Sequence, residues 1–320
     1  LTGGWGDANC GGHFGPALRA TGLDGLFVTG VSARPVYLLI DGEKGQIELR
    51  DAAHLWGLDT VETERRIKEE VGRNTQVVCI GPAGEKCSLL AALITDGGRA
   101  AARSGLGAVM GAKRLKAVAV RGTQRVTLHD RSALSRLNGE YLQLFKGKTP
   151  LLPRLLVRMG QAALPLLRRL RMRPSGGPAQ AIVHVYRTYG TCSGVAFATE
   201  TGDAPVKNWQ GVGTRDLPLR RSLGISGDAV IEHQVRKYHC QNCPVGCGGI
   251  VQLKGELYTV EESHKPEYET LAAFGSLLLN DDLESLIQIN DMCNRYGLDT
   301  ISAGVTIGFA MELYEKGILT

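Results

Sequence analysis

The sequence predicts an α+β chain in two parts, sheet-rich over residues 1–128 and mostly helical over 129–320. Three observations carry that division. Short apolar runs bounded by Gly, Asp and Asn recur before residue 128, as strands and tight turns require. Longer segments with a helical apolar period dominate after it. Asp and Glu disappear from Tyr141 to Thr199, so the composition shifts early in the second part.

The length, 320 residues, suits roughly two domains of about 150 residues each. A composition of 43% hydrophobic and 22% charged residues is that of an ordinary soluble globular protein. Eight cysteines, three of them clustered, do not form the regular framework of a secreted disulfide domain. A reduced, cytoplasmic compartment is therefore expected. No run of about 18 apolar residues exists, so no transmembrane segment is predicted. The chain starts at Leu1 without a leader and stops within a helical pattern, and is expected to be a piece cut at both ends.

In chain order, Asn9 to Gly15 is a Gly-dense loop leading into a short helix, Pro16 to Ala20. A helix start of this kind suits an anion, but also serves as a plain turn. Leu26 to Val28 reads as a strand. Val36 to Ile40 and Gln46 to Leu49 read as a hairpin around Asp41-Gly42-Glu43-Lys44-Gly45. Thr60 to Val71 reads as a helix capped by Asp59 or Thr60 and stopped by Gly72. Gln76 to Ile80 is a buried strand running into the turn Gly81-Pro82-Ala83-Gly84-Glu85.

Residues 96–113 are rich in glycine, with Arg99 and Arg103 among them, before a strand from Leu115 to Val120. Glycines let a backbone approach a ligand, and guanidinium groups bind phosphate in forked geometry. The G-x-G-x-x-x-G spacing from Gly105 is not the dinucleotide fingerprint. Arg114 after Lys113 is not a P-loop ending. A phosphate-type loop and a purely structural one both remain open on these residues.

Ser132 to Phe145 reads as helix. Leu151 to Arg173 carries Arg154, Arg158, Arg168, Arg169, Arg171 and Arg173 between leucines, with Pro153, Pro165 and Pro174 expected to break it into short helices. Such a basic amphipathic stretch suits a membrane surface, an acidic partner such as an electron-transfer subunit, or a solvated insertion. Without interleaved aromatics it is no nucleic-acid signature. Tyr189 to Cys192 and Pro205 to Trp209 read as loops, and Val230 to Tyr238 as a helix. Leu271 to Leu279, Asp282 to Tyr296 and the segment after Thr300 read as further helices, with Gly297 a stop and Asp299 or Thr300 a cap.

Cys240, Cys243 and Cys247 are the sharpest chemical signal, three thiols spaced C-x2-C-x3-C with Pro244 and glycines between and after them. Thiolates in this pattern suit an iron–sulfur cluster, or zinc with His239 or a distant Cys as fourth ligand.

Six motifs in order resemble the tungsten-containing aldehyde:ferredoxin oxidoreductase family. They are Asn9-Cys10-Gly11-Gly12-His13-Phe14-Gly15, Ile80 to Glu85, Arg103 to Gly111, Cys240 to Cys247, Pro266-Glu267-Tyr268-Glu269, and Gly297-Leu298-Asp299-Thr300-Ile301-Ser302. The resemblance covers most of the chain, Leu151 to Gly177 matching poorly. It implies an N-terminal double β-sheet that cradles a tungsten-bis(molybdopterin) cofactor, followed by a mostly α-helical domain. It implies pterin contacts from Asn9, Gly11 and Gly12, and from Arg99, Ala100, Arg103 and Gly105, the latter loop also reaching a magnesium ion that bridges the pterin phosphates. It implies a second pterin-holding loop at Gly297, Leu298 and Asp299. The family's acid five positions earlier is Asn294 here, which is neutral and also donates.

The resemblance further makes Cys240, Cys243 and Cys247 three ligands of a 4Fe–4S cluster, with the fourth expected beyond Thr320. Glu269 matches an acid near the metal that orients or deprotonates water or a hydrated aldehyde; a glutamate in a first helical turn otherwise serves the helix dipole. The implied reaction oxidises an aldehyde to a carboxylic acid, using tungsten or molybdenum. Implied partners are ferredoxin or an electron-transfer subunit, a small aldehyde and, in oligomers, further copies of the chain. The piece is not expected to turn over alone. Two other functions compete: the active-site subunit of a class II benzoyl-CoA reductase, and a non-catalytic iron–sulfur or zinc module.

Overall fold

The computed structural model describes residues 5–143, 145, 153–171 and 179–320. The chain forms two compact units, Leu1–Thr127 with Asp291–Ser302, and Leu128–Asn290 with Ala303–Thr320. The segment Asp291–Ser302 thus belongs with the sheet-bearing unit, not with its neighbours in sequence.

In the first unit, strands β1 (Val36–Asp41) and β2 (Gln46–Asp51) form an antiparallel hairpin in which Val36 faces Asp51. Asp41 closes the turn, its carboxylate accepting from the N–H groups of Glu43 and Lys44, both at 3.2 Å. Strand β3 (Gln76–Cys79), the short pair β4 (Leu93–Thr95) and β5 (Arg99–Ala101), and β6 (Leu115–Arg121) complete a six-stranded sheet in the order β2-β1-β6-β3-β4-β5. Only β1 and β6 pair in parallel. Among the described residues of this unit the strands build one sheet, not the pair that the resemblance implies. Leu26 to Val28 is not a strand: Phe27 is 98% exposed and the stretch pairs with no strand.

Period-2 alternation sends β1 and β6 side chains to two buried faces. Tyr37, Leu39, Val77, Cys79, Ala117 and Ala119 pack against Ile67 of α2 (Thr60–Val71). Leu38, Ile40, Val118 and Val120 pack on the other side, against Phe14, Ala17 and Leu18 of α1 (Phe14–Ala20). Helix α2 begins and ends where its sequence signals fall. The Asp59 carboxylate accepts from the Glu62 N–H at 2.7 Å, and Gly72 follows at φ 132°.

The turn Gly81–Glu85 contains a one-turn helix, α3 (Pro82–Glu85), on which α4 (Leu106–Ala112) lies. A Cβ on Gly111 would sit 1.8 Å from the Gly84 carbonyl oxygen, and one on Gly107 2.6 Å from that of Ala92. These two glycines, expected to line a ligand loop, are helix-packing residues instead. Beneath α3, Lys116 is fully buried, donating to the Glu85 carboxylate and, at 2.8 Å, to the Leu58 carbonyl. Glu85 also accepts the Gly57 N–H at 2.9 Å, so the buried pair is hydrogen-bonded beyond itself.

The second unit opens with helices α5 (Arg131–Gln143), α6 (Pro153–Arg169), α7 (Ala179–Tyr189) and α8 (Gly194–Thr201). Helix α6 runs through Pro165 without the expected break. The residues around Pro174 and Arg173 lie outside those described, as do the side chains of residues 153–156. Three short helices follow, α9 (Gly213–Asp216), α10 (Leu219–Gly224) and α11 (Gly227–Glu232). The expected helix over Val230 to Tyr238 is wrong: α11 stops at Glu232, and Gln234–Tyr238 is strand β7. It pairs antiparallel with β8 (Gly248–Lys254), which pairs with β9 (Thr259–His264). Gln234-Val235-Arg236-Lys237-Tyr238 has no period-2 alternation, and β8 supplies the ladder that makes it a strand. After β9 come α12 (Tyr268–Leu271), a π-helical turn over Ala272–Ser276, α13 (Leu283–Tyr296) and α14 (Thr300–Glu315). Among the described residues no helix is long and apolar enough to cross a membrane.

Candidate functional site

In the first unit, four pieces of chain interlock: the loop before α1, the β4–β5 turn, the turn before α4, and the Gly297–Ser302 segment. Asp96, Gly97 and Gly98 form the β4–β5 turn, with φ of 51° at Asp96 and 74° at Gly97. Left-handed residues in succession suit a tight hairpin. The turn aims the Asp96 carboxylate at the first loop. It accepts from the His13 N–H at 2.9 Å, lies 3.4 Å from His13 Nδ1 and 4.0 Å from Arg99 Nε. Gly12, buried at φ 99°, passes so close that a Cβ there would meet Asp96 Oδ2 at 2.0 Å and Arg99 Cδ at 2.7 Å. No other residue type can occupy that position without moving the loop. Asn9, Cys10 and Gly11 stay exposed beside it.

Arg99 and Ala100 stand on β5, an edge strand paired on one side only. The Arg99 side chain is largely buried, at 15% exposure, whereas Arg103 is 59% exposed. Gly105 adopts left-handed geometry at φ 66°, where a Cβ would meet the Leu89 carbonyl at 2.8 Å. Ser104 donates to the Asp7 carbonyl at 3.0 Å, tying this turn to the first loop.

The Gly297–Ser302 segment closes the group. Gly297, at φ 71°, accepts the Ala92 N–H at 2.8 Å, and Leu298 bridges Ala91. Asp299 is buried, and its backbone N–H donates to Leu90. Its carboxylate caps α14 by accepting from the Ile301 N–H at 3.0 Å and from the Ser302 hydroxyl, and stands 3.4 Å from Arg103 Nε. So Asp299 is a helix cap and an ion-pair partner. Asn294 is buried, its carbonyl accepting from Thr60 Oγ1 at 2.8 Å. The hub role of Asp96 was missed in the sequence, although Asp-Gly-Gly between two apolar strands is a hairpin signal.

In the second unit, Cys240, Cys243 and Cys247 lie together on the 239–247 connection between β7 and β8. Asn242 at φ 58° and Gly246 at φ 63° fold the connection back, and the Cys243 N–H donates to the Cys240 carbonyl at 3.0 Å. All three thiols are partly exposed. Among the described residues no three His, Cys, Asp or Glu side chains converge as a metal ion requires, so the loop offers donors rather than a finished cage. Its surroundings are cationic. Arg187 donates to the Pro244 carbonyl at 3.0 Å, and Lys237 to the Arg187 carbonyl. Lys265, 2% exposed, donates to the Tyr189 carbonyl. Burial, then the charges of Lys265 and Arg187, hold the Lys237 ammonium below its ordinary range. The thiolate is the form of cysteine that binds metal. By contrast, burial pushes Cys192 up to about 12, Cys293 up to about 11 and Cys79 higher still. Those three are protonated core residues.

Glu269 is exposed in the first turn of α12. Glu267, at its N-cap, accepts from the Thr191 hydroxyl, and that hydroxyl accepts from the Tyr268 N–H at 2.9 Å. The chain then passes into the π-turn, where the Leu277 N–H reaches the Ala272 carbonyl at 2.9 Å. Such turns recur beside functional sites. The sequence carries no direct signal for it.

Similarity to known proteins bears on both units. The family description "Aldehyde ferredoxin oxidoreductase, N-terminal domain" matches residues 1–122, and "Aldehyde ferredoxin oxidoreductase, domains 2 & 3" matches 175–320. The tungsten-containing aldehyde ferredoxin oxidoreductase of Pyrococcus furiosus is 39% identical over 312 residues, 97% of this chain and 45% of that protein. Its counterpart from Thermococcus kodakarensis is 38% identical over 316 residues, 98% of this chain and 45% of that protein. The active-site complex BamBC of benzoyl coenzyme A reductase, solved with 1,5-dienoyl-CoA, has a TM-score of 0.71 and 27% identity, covering 98% of this chain and 43% of that one. The chain spans about half the length of the curated relatives it matches. With both family descriptions in order along its two units, the chain belongs to the aldehyde ferredoxin oxidoreductase family.

Proposed function

We propose that this chain is the cofactor-holding part of a cytoplasmic tungsten (or molybdenum) bis-pterin oxidoreductase that converts aldehydes to carboxylic acids. The observation that supports it most is the interlock of the Asn9–Gly15, Asp96–Gly105 and Gly297–Ser302 segments around Asp96 and the Arg103–Asp299 pair. Glycine-rich turns beside two guanidinium groups, Arg99 on β5 and Arg103 on the turn after it, suit a ligand bearing phosphates. The donor set of the β7–β8 connection, three thiols among cations, fits a 4Fe–4S cluster.

When bound, the tungsten–pterin group supplies two-electron redox chemistry and the cluster one-electron transfer. The protein's own part is holding and orienting. The loop of Arg99, Ala100, Arg103 and Gly105 would hold pterin phosphates and, through backbone carbonyl, a magnesium ion. Asn9, Gly11 and Gly12 would form a second pterin-contacting loop. Gly297, Leu298 and Asp299, with Asn294, would hold a pterin ring, Asp299 accepting from a ring N–H. Glu269 takes a proton from water or the hydrated aldehyde. Cys240, Cys243 and Cys247 are three cluster ligands. Aldehyde and water become carboxylic acid with release of two electrons and two protons, the electrons leaving one at a time to ferredoxin or an electron-transfer subunit. Expression of the whole polypeptide with tungstate, followed by metal and pterin analysis and an aldehyde assay, tests this.

The likeness to the benzoyl coenzyme A reductase complex supports a second reading, a subunit that reduces an aromatic thioester. Parallel assays on aldehydes and benzoyl-CoA separate the two.

A further inference from the structure

Residues 123–174 lie outside both matched family descriptions. They contain eleven Lys and Arg against two Asp and Glu, a net charge of +9; the whole chain carries +5, so the remainder carries −4. Two helices occupy this stretch, and each leaves an apolar stripe in solvent. On α5, Leu134, Leu137, Tyr141 and Leu142 are exposed, and no residue of the helix is buried. On α6, Leu164 is buried, while Met159, Leu166 and, directly after the helix, Leu170 are 58–59% exposed. Their i, i+7, i+11 spacing places those three within about 40° of one another around the helix axis, and Arg158 and Arg169 fall on one flank. Among the described residues of this stretch, Arg158 pairs with Asp228 and Arg168 with Glu200. Arg169 and Arg171 are exposed.

We infer that α5 and α6 form a peripheral docking surface for an anionic lipid bilayer. Helices with Leu and Met on one face and arginines beside it lie in the membrane interface, apolar stripe down and guanidinium groups at headgroup level. A protein partner would be read by a few geometrically matched anchors, usually Trp, Tyr or Arg in pockets. Helix α6 carries no aromatic residue, and its charge is spread along a tract without acids. That pattern complements the diffuse negative field of a bilayer better than a discrete acidic patch. The inference does not depend on the proposed redox activity.

The test is cosedimentation of the purified, full-length holoprotein with vesicles of phosphatidylcholine alone or containing phosphatidylserine. Binding is expected on the anionic vesicles, weakening as salt rises. The pair Arg169→Gln and Arg171→Gln lowers the anionic affinity about thirtyfold, at roughly fivefold per charge. Leu166→Ser with Leu170→Ser lowers it as well, with an unchanged thermal midpoint. The inference is overturned if the holoprotein stays in the supernatant at low salt. Retention on a polyglutamate resin without vesicle binding would replace the bilayer by an acidic protein. Deuterium-exchange protection of both stripes in the vesicle-free holoprotein would assign them to an internal contact. Binding indifferent to both variant pairs would also refute the assignment.

Discussion

Gly111→Ala is the substitution whose outcome is worked most directly from the structure of the first unit. Taken alone, replacing a helical glycine by alanine gains about 1 kcal/mol of helix propensity. Here the new methyl carbon would lie 1.8 Å from the Gly84 carbonyl oxygen, a backbone atom that cannot rotate away. Helix α4 must lift off α3, and overpacking of this kind costs about 3 kcal/mol. The net loss is about 2 kcal/mol, a roughly thirtyfold rise in the open population. Gly15→Ala in α1 is the control, since a Cβ there meets nothing within 4 Å. Hydrogen exchange of β6 peptides reports opening of this unit. Exchange should accelerate in Gly111→Ala and remain the same or slow in Gly15→Ala. Equal behaviour of the two variants would refute the packing of α4 on Gly84.

Other outcomes follow from the same geometry. Lys116→Met should cost about 3–5 kcal/mol by stranding buried Glu85, whereas Lys116→Met with Glu85→Gln should recover most of it; chemical denaturation of both checks this. Asp41 is held below its ordinary carboxyl range chiefly by the Arg121 hydrogen bond. A depressed folded value adds stability that is complete above the unfolded value near 3.8 and is lost as pH falls through the folded one. The gap in urea midpoint between wild type and Arg121→Ala should therefore be larger at pH 6 than at pH 2.5. Asp299→Asn keeps an α14 cap and should hold stability within about 0.5 kcal/mol, while Asp299→Ala loses about 1 kcal/mol. If Asp299 also holds a pterin ring, both variants retain less extractable pterin than wild type.

Local signals made much of the first unit legible. Asp59 and Gly72 bound α2 because a cap and a left-handed stop act within one turn of the helix end. The β1–β2 hairpin followed from its turn residues. What escaped is set by distant partners. Gln234–Tyr238 became a strand because β8, beyond the cysteine connection, offers it a ladder, and Leu26–Val28 failed to become one for want of a neighbour. Gly107 and Gly111 looked like ligand clearance because sequence spacing cannot distinguish a bound phosphate from protein backbone, that of Ala91–Ala92 for Gly107 and of α3 for Gly111. Pro165 stays within α6, where the remaining turns hold the helix despite its missing donor. For the candidate site, the sequence pointed to Asp299, Arg103 and Gly12 individually. Their neighbours in space, Asp96 and His13, emerge only once the β4–β5 turn is folded.

The proposed function requires that the chain bind a tungsten–pterin group and an iron–sulfur cluster. Metal analysis of the whole polypeptide, expressed with tungstate and paired with EPR of the reduced protein, tests it most directly. About one tungsten or molybdenum and roughly four irons per chain are expected, with an iron–sulfur signal that Cys243→Ser diminishes. Substoichiometric tungsten and molybdenum with no iron–sulfur signal, or zinc in place of iron, would contradict it.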